Sequence, residues 1–286
     1  MAYAAPLVLG SQLTITRAPT IGQTLRFDSV DLAPKVLVPY EINAIRMLGY
    51  PSIEVEGVAA GPSTALRGFL KWKFEVGNFL PLTDHFVPMW NLCPVRQSIT
   101  ELGGYYEWRF QKPMLIAPGG RIDAQVSLQA DTPNPGVTPI FVAVSYAGRL
   151  RPDLESLPAM TDVPFCSAWD TTVAGNQGTA NDWNTLRNPL ATTIDVHSLI
   201  ARIQDDTTGL DGDDATELQI FDPWGRAVNR FGTIEFHAEF PTDTREFPYC
   251  GSLESDQHFA VRLTTPPSTT YRPMISYLGS RREKLP

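Results

Sequence analysis

The 286-residue chain has no run approaching about 20 apolar residues free of charge and proline, so no segment reads as a transmembrane helix. Cysteine is scarce. Cys93, Cys166 and Cys250 are odd in number and widely spaced, which excludes a disulfide framework and a Cys-x-x-Cys zinc site. That usage fits synthesis in a reducing cytoplasm. Positive charge is in deficit, with 23 Lys+Arg against 31 Asp+Glu and a net charge of −8. With no basic stripe, direct nucleic-acid binding is not expected. The start, Met1-Ala2-Tyr3-Ala4-Ala5-Pro6, lacks the charged and apolar regions of a signal peptide. Gly-x-Ser-x-Gly, Gly-x-Gly-x-x-Gly, a phosphate-cradling loop and His-Glu-x-x-His are all missing, which removes the common catalytic routes. Helix-compatible stretches are few, because 25 prolines and 21 glycines interrupt the chain. Proline stands at nearly double its usual share of about 5%.

What remains is folded and β-rich. Hydrophobic residues make up 43% and charged residues 19% of the chain. Apolar and polar residues alternate in Ser11–Arg17, Ser52–Glu56 and Arg121–Leu128. In Gly68–Val76 the same period puts Leu70, Trp72, Phe74 and Val76 on one face, and Tyr106–Phe110 repeats the theme. Pro-Gly and Gly-Pro turns separate these runs at short intervals, as in a sandwich or barrel. Tyr40–Leu48 reads as a short helix or a strand, and Val196–Gln204, with Leu199, Ile200 and Ile203, as a second helix candidate. The expected fold is all-β with about fifteen strands: a jelly-roll barrel or sandwich with a second smaller barrel or inserted β domain.

An internal similarity supports that organisation. Val144-Ser145-Tyr146-Ala147-Gly148-Arg149-Leu150-Arg151 resembles Ile275-Ser276-Tyr277-Leu278-Gly279-Ser280-Arg281-Arg282, at an offset of 131 residues from 144 to 275. Each copy follows a strand containing Val126-Ser127-Leu128 or Val261-Arg262-Leu263. The repeat reads as two related barrels in tandem, or as one barrel pairing two similar hairpins. Strand periodicity fades between Pro152 and Asn188. The expected division is therefore a jelly roll over 1–151, an irregular linker or surface excursion over 152–190, and a second β element over 191–286. The alternative expectation is that the C-terminal strands of that element complete the first barrel.

Three constellations carry possible chemistry. His237, Glu239 and His258 offer two imidazoles and a carboxylate, the donor set of a non-haem iron site, as in jelly-roll oxygenases. Only 18 residues separate Glu239 from His258, too few for the intervening strands of that family, so a polar sheet edge is the preferred reading. Asp205–Asp214 holds five carboxylates, oxygen donors suited to calcium, but departs from the Asp-x-Asp-x-Asp-Gly order. An exposed acidic turn is preferred. Among the tryptophans, Trp72 and Trp108 read as core, whereas Trp169 and Trp183 fall in the irregular middle, available for ligand stacking in a carbohydrate-binding or host-attachment module. The basic end Arg281-Arg282-Glu283-Lys284 reads as a solvated tail rather than a phosphate or anionic-lipid contact. No cofactor is expected.

Its size, the opening Ala5-Pro6-Leu7-Val8-Leu9-Gly10-Ser11-Gln12-Leu13-Thr14-Ile15 and the segments ending in Ser145-Tyr146 and Ser276-Tyr277 give the chain a family likeness. It resembles the larger major capsid protein of tailless, membrane-containing icosahedral phages of Thermus, in the single jelly-roll lineage. The resemblance implies a non-enzymatic virion subunit, made in the host cytoplasm. It also implies pseudo-hexameric capsomers shared with a smaller partner capsid protein over an internal lipid membrane. High proline content accords with a thermophilic host.

Overall fold

The computed structural model describes residues 6–15, 24–26, 38–51, 70–77, 80–92, 106–128, 140–155, 157–170, 183–205, 217–228, 234–235, 246–265 and 271–284. Seventeen strands and one short helical turn are named among them. The first half comprises β1 (Pro6–Ile15), β2 (Thr24–Arg26), β3 (Tyr40–Pro51), β4 (Leu70–Val76), β5 (Leu80–Pro81), β6 (Val87–Pro88), α1 (Met89–Leu92), β7 (Tyr106–Ile116), β8 (Ile122–Leu128) and β9 (Ile140–Leu150). The second comprises β10 (Thr161–Asp170), β11 (Trp183–Arg187), β12 (Ile194–Asp205), β13 (Glu217–Phe221), β14 (Ile234–Glu235), β15 (Glu246–Leu253), β16 (His258–Thr265) and β17 (Tyr271–Glu283).

The pairing gives four antiparallel sheets. In the first half β1-β9-β3-β7 faces β2-β8-β4-β5, with β6 also on β4. In the second half β10-β17-β12-β15 faces β11-β16-β13-β14. Counting eight positions per half, both read 1-8-3-6 and 2-7-4-5, the strand order of a jelly roll. The chain is therefore two jelly rolls in tandem. The expected jelly roll with a second β-barrel is found, the second being a full jelly roll in its own right, and β15–β17 complete it rather than the first barrel.

Two expected boundaries shift. The stretch 152–190 contains β10 and β11, so the second barrel starts at Thr161 and the connection between barrels is short. Val196–Gln204 lies in strand β12, not a helix; Tyr40–Leu48 lies in strand β3. The physical reason is the same for β10 and β12. Both are buried on two faces, at Val163–Trp169 and at Ser198–Arg202, so the inward-outward alternation that marks a half-exposed strand is erased. Where one face meets water the pattern is plain: in β4, Trp72, Phe74 and Val76 are buried, and Lys71, Lys73 and Glu75 alternate with them.

Each barrel has an aromatic centre. In the first, Trp72 stacks on Phe74 at 5.6 Å, Phe74 meets Trp108 at 6.2 Å, and Trp108 meets Phe110 edge-on at 5.2 Å. In the second, Tyr277 lies between Phe165 and Phe259 at 6.2 and 6.1 Å. Its hydroxyl donates to the Arg187 carbonyl at 3.1 Å, tying the two sheets together. Burying each such ring contributes about 2–3 kcal/mol.

Candidate functional site

The repeated sequence occupies equivalent places: Val144–Arg151 is the last strand of the first barrel and Ile275–Arg282 that of the second. The equivalence extends to the neighbouring strand. Opposite Gly148, β3 carries a register shift at Asn43, between Ile42 and Ala44. Opposite Gly279, β12 carries the same shift at His197, between Val196 and Ser198. Each bulge brings backbone against its glycine. A Cβ on Gly148 would lie 1.8 Å from the Glu41 carbonyl oxygen, and one on Gly279 would lie 2.8 Å from that of Asp195. Only glycine allows this close approach.

Outside the barrels the two equivalent sheets diverge. The outer face of β10-β17-β12-β15 is covered by the first barrel. Cys166, Ala168, Ile200, Met274 and Leu278 join the first barrel's hydrophobic core, together with Leu82, Met89 and Leu92 of the β5–α1 segment. Polar contacts fix the register of this seam. The Cys166 amide donates to the Leu82 carbonyl at 2.9 Å, and the Asp84 amide donates to the Cys166 carbonyl at 3.0 Å, adding a short parallel bridge to β10. Ser276 Oγ donates to the Asn91 carbonyl at 2.7 Å. Arg281 donates through Nη2 to the Pro81 carbonyl at 2.7 Å, pairs with Glu283 and sits 5.1 Å over the Phe165 ring. Burial lowers the Arg281 pKa, and the Glu283 charge opposes that.

At the edge of the seam Lys112 of β7 pairs with Asp162 of β10 at 3.2 Å. His197, at the bulge, is held down to about 4 by burial and then by the nearby Lys112 charge.

The matching outer face of β1-β9-β3-β7 bears charges instead. Glu41 is buried and receives Arg149 Nε at 2.8 Å and Arg151 Nη1 at 2.5 Å. Glu107 receives Arg46 Nε at 2.7 Å and is also paired with Arg109. Burial raises the Glu107 pKa, yet the two guanidinium groups more than offset it and hold the carboxyl below its ordinary range. Arg109 is 83% and Arg149 51% exposed. By register Arg46 takes the place of Ile200, Ala147 that of Leu278, and Arg149 that of Ser280.

The residues singled out from sequence fall only in part within the described residues. His258 opens β16 opposite Arg187, while His237 and Glu239 lie outside the described residues. Among the described residues no group of three His, Cys, Asp or Glu is placed to hold a metal ion. Trp169, expected to be available for stacking, is only 8% exposed and belongs to the second core, because β10, although the edge strand of its sheet, is covered on both faces. Trp183 lies in β11 opposite Arg262. Of the acidic segment, Asp205 ends β12 and Asp206–Asp214 lie outside the described residues. Sequence reasoning missed Glu41, Arg46, Glu107 and Asn91. The repeat pointed to Arg149 and Arg281, though not to their partners.

No protein-family model matches the chain, and no curated protein matches it. Among solved structures it is similar to the MCP of Sulfolobus turreted icosahedral virus, STIV, at 10% identity and TM-score 0.48, covering 96% of each chain. It is similar also to PBCV-1 VP54, fitted into a reconstruction of the virophage Sputnik, at 11% identity and TM-score 0.46, covering 99% of this chain and 95% of that one. The ANX1 ectodomain of Arabidopsis thaliana follows at 9% identity and TM-score 0.28, covering 96% of this chain and 89% of that one. The jelly-roll assignment rests on the strand orders of this chain itself.

Proposed function

We propose that the chain is a non-enzymatic subunit of an icosahedral virus shell, resident in the virion after synthesis in the host cytoplasm. The observation that carries this reading is the directional seam between its two jelly rolls. The β5–α1 segment of one barrel covers the outer 1-8-3-6 sheet of the next. Such a head-to-tail contact uses two different patches, so repetition builds rings or arrays rather than closed pairs. The first barrel carries the same sheet with its arginines partly exposed, and on this reading it receives the second barrel of another copy. A closed ring of copies then forms the pseudo-hexameric capsomer.

The resemblance to Thermus phage capsid proteins adds a smaller partner and an internal membrane. On our reading the second barrel takes, within one chain, the position that the resemblance gives to the smaller partner. The membrane stays part of the proposal.

Copy number in density-purified particles tests the function. Quantitative mass spectrometry is expected to find the chain among the most abundant virion proteins. Its absence from particles overturns the shell reading, and a vertex-level number of copies moves it to an attachment role.

A further inference from the structure

Backbone hydrogen bonds carry one sheet into the next across the seam. The Leu82 amide, just after β5, donates to the Phe74 carbonyl of β4 at 2.8 Å, and the Phe74 amide donates to Thr83 Oγ1 at 3.1 Å. On its other side the same segment brackets Cys166 of β10, through the parallel bridge between Thr83 and Cys166. The 2-7-4-5 sheet of the first barrel thus continues through residues 80–84 into the 1-8-3-6 sheet of the second. β10 is the edge strand of that sheet, and its outer edge is closed in this way.

β1 is the counterpart of β10, and the two registers match residue by residue. Val8 lies opposite Ala147 and Cys166 opposite Leu278, at the same 131-residue offset as the repeat. Pro6 and Pro164 then coincide, each two residues earlier in its strand. Proline has no amide hydrogen, so on an edge strand its nitrogen belongs on the outer side. Cys166, two residues on from Pro164, turns its amide and carbonyl outward to residues 82 and 84. By the same alternation Val8 turns its own outward from β1. Among the described residues no strand pairs with that edge.

Natural sheets blunt an open edge with charge, proline or shortness. β7, at the opposite edge of the same sheet, carries Glu107, Arg109, Lys112 and Pro113. β1 runs for ten residues with no charged residue and with its one proline at the start. Its sequence suits pairing, not protection.

Charge and sequence indicate the occupant. Residues 1–156 hold 13 Lys+Arg and 13 Asp+Glu, whereas residues 157–286 hold 10 and 18, so the whole net charge of −8 lies in the second half. Arg149 stands opposite Pro6 on the strand beside β1, and Arg109 is exposed on the same sheet. Those cations favour a second barrel as the visitor. The bridging segment also has a counterpart in sequence. Pro81-Leu82-Thr83-Asp84 begins at β5, and Pro241-Thr242-Asp243 lies between β14 and β15, the corresponding connection of the second barrel. Residues 236–245 are outside the described residues.

We propose that the outer edge of β1 is a strand-addition site for a second copy of this chain, occupied by that copy's Pro241–Asp243 segment. Val8 then exchanges backbone hydrogen bonds with the visiting segment as Cys166 does with residues 82 and 84 inside one chain. Main-chain bonds supply the affinity, and the facing of Thr242 with Val8 sets the register. The inference rests on the head-to-tail shell reading and gives that contact its chemistry: a sheet continued from copy to copy, rather than paired side-chain charges alone.

The test mixes two variants of the full chain, Val8→Cys and Thr242→Cys, in equal amounts under mild oxidation. Residues facing each other in a parallel bridge bring their Cα atoms within disulfide reach. A mixed dimer linked between positions 8 and 242, identified by peptide mass, is expected, and neither variant alone should form it. Wild type sets the background from the exposed Cys250. Val8→Pro removes the outward donor and spares the β1–β9 ladder, so self-association in sedimentation velocity should weaken about tenfold with unchanged thermal unfolding. The cysteine pair decides independently of how Val8→Pro folds. Absence of the mixed dimer overturns the proposal. Placing both cysteines in one chain and finding the link within monomers also overturns it, assigning the segment to its own barrel. Abundant chain in particles with no mixed dimer leaves the shell reading standing and removes strand addition alone. Mixed dimers from a chain absent from particles do the reverse.

Discussion

The two 1-8-3-6 sheets share an interior and differ at the outer face. Tyr146 and Tyr277 both point into their barrels, Gly148 and Gly279 both face a bulge, and Ser145 and Ser276 occupy the same position. Yet Ile200 and Leu278 of the second sheet lie in a dry seam, where the first sheet has Arg46 and Ala147. The interior follows from what a jelly roll must bury. The exterior follows from what covers it: a neighbouring barrel in the same chain in one case, and in our reading a barrel of another copy in the other. A permanent seam tolerates apolar residues because they never meet water, whereas a surface exposed before assembly needs charge to stay dispersed.

Placing the first sheet's chemistry on the second should give the largest effect. Ile200→Arg puts at the seam the residue found at position 46, without a Glu107 equivalent arranged to receive it. A loss of about 3–5 kcal/mol is expected in denaturant unfolding, with the barrels separating before either melts. A single unfolding transition with wild-type stability would show that the seam is not the dry contact described.

The glycines compare the two bulges. Gly148→Ala should cost about 3 kcal/mol or more, since its Cβ would meet the Glu41 carbonyl at 1.8 Å. Gly279→Ala, whose nearest contact is the Ile194 methyl at 2.6 Å, should cost less, about 1–2 kcal/mol. The reverse order in urea titrations would contradict the equivalence of the bulges.

The bulge residues themselves differ, Asn43 against His197, and this adds a pH dependence. His197 is lowered to about 4 in the folded chain, by burial and then by Lys112, against about 6.5 when unfolded. Between those values the unfolded state binds the extra proton, so stability falls as pH drops from about 6.5 toward 4. Lys112, on the first barrel, faces His197 across the seam and pairs with Asp162 of β10. His197→Asn installs the first barrel's residue and should remove that part of the slope, on the order of 1 kcal/mol after solvent screening. Parallel melting-temperature curves for wild type and variant across this range would exclude the contribution.

The smallest effect on the isolated chain belongs to Arg46→Ile, which gives the first sheet the seam residue of the second. Glu107 keeps Arg109, so unfolding should change by no more than about 1 kcal/mol. Self-association, read by sedimentation velocity, should change far more than stability. A variant that unfolds much earlier would show that Arg46 serves the barrel rather than its outer surface.

The sequence made the barrels legible wherever one face meets water. Trp72, Phe74 and Trp108 were placed in the core by alternation alone, and the Ser-Tyr-x-Gly repeat marked the last strand of each jelly roll. β10 and β12 escaped because a sheet covered on both sides loses its period: Pro164, Cys166 and Ser167 read as irregular, and Leu199, Ile200 and Ile203 as helical. The candidate site was harder to see. Whether Arg46 or Ile200 faces a partner depends on the register across three strands, and one residue of bulge reverses the faces. Trp169 shows the same limit, since its neighbours in sequence are small and polar while its neighbours in space are Phe165 and the Ile275 strand.

Arginine labelling before and after assembly tests the central claim most directly. The full chain, dissociated and then assembled, is treated with phenylglyoxal and the modified residues are counted by mass spectrometry. Arg109 and Arg149, now largely exposed on the first sheet, should lose reactivity on assembly, while Arg281, already buried in the seam, stays unreactive in both states. Undiminished labelling of Arg109 and Arg149 in assembled material would contradict the account.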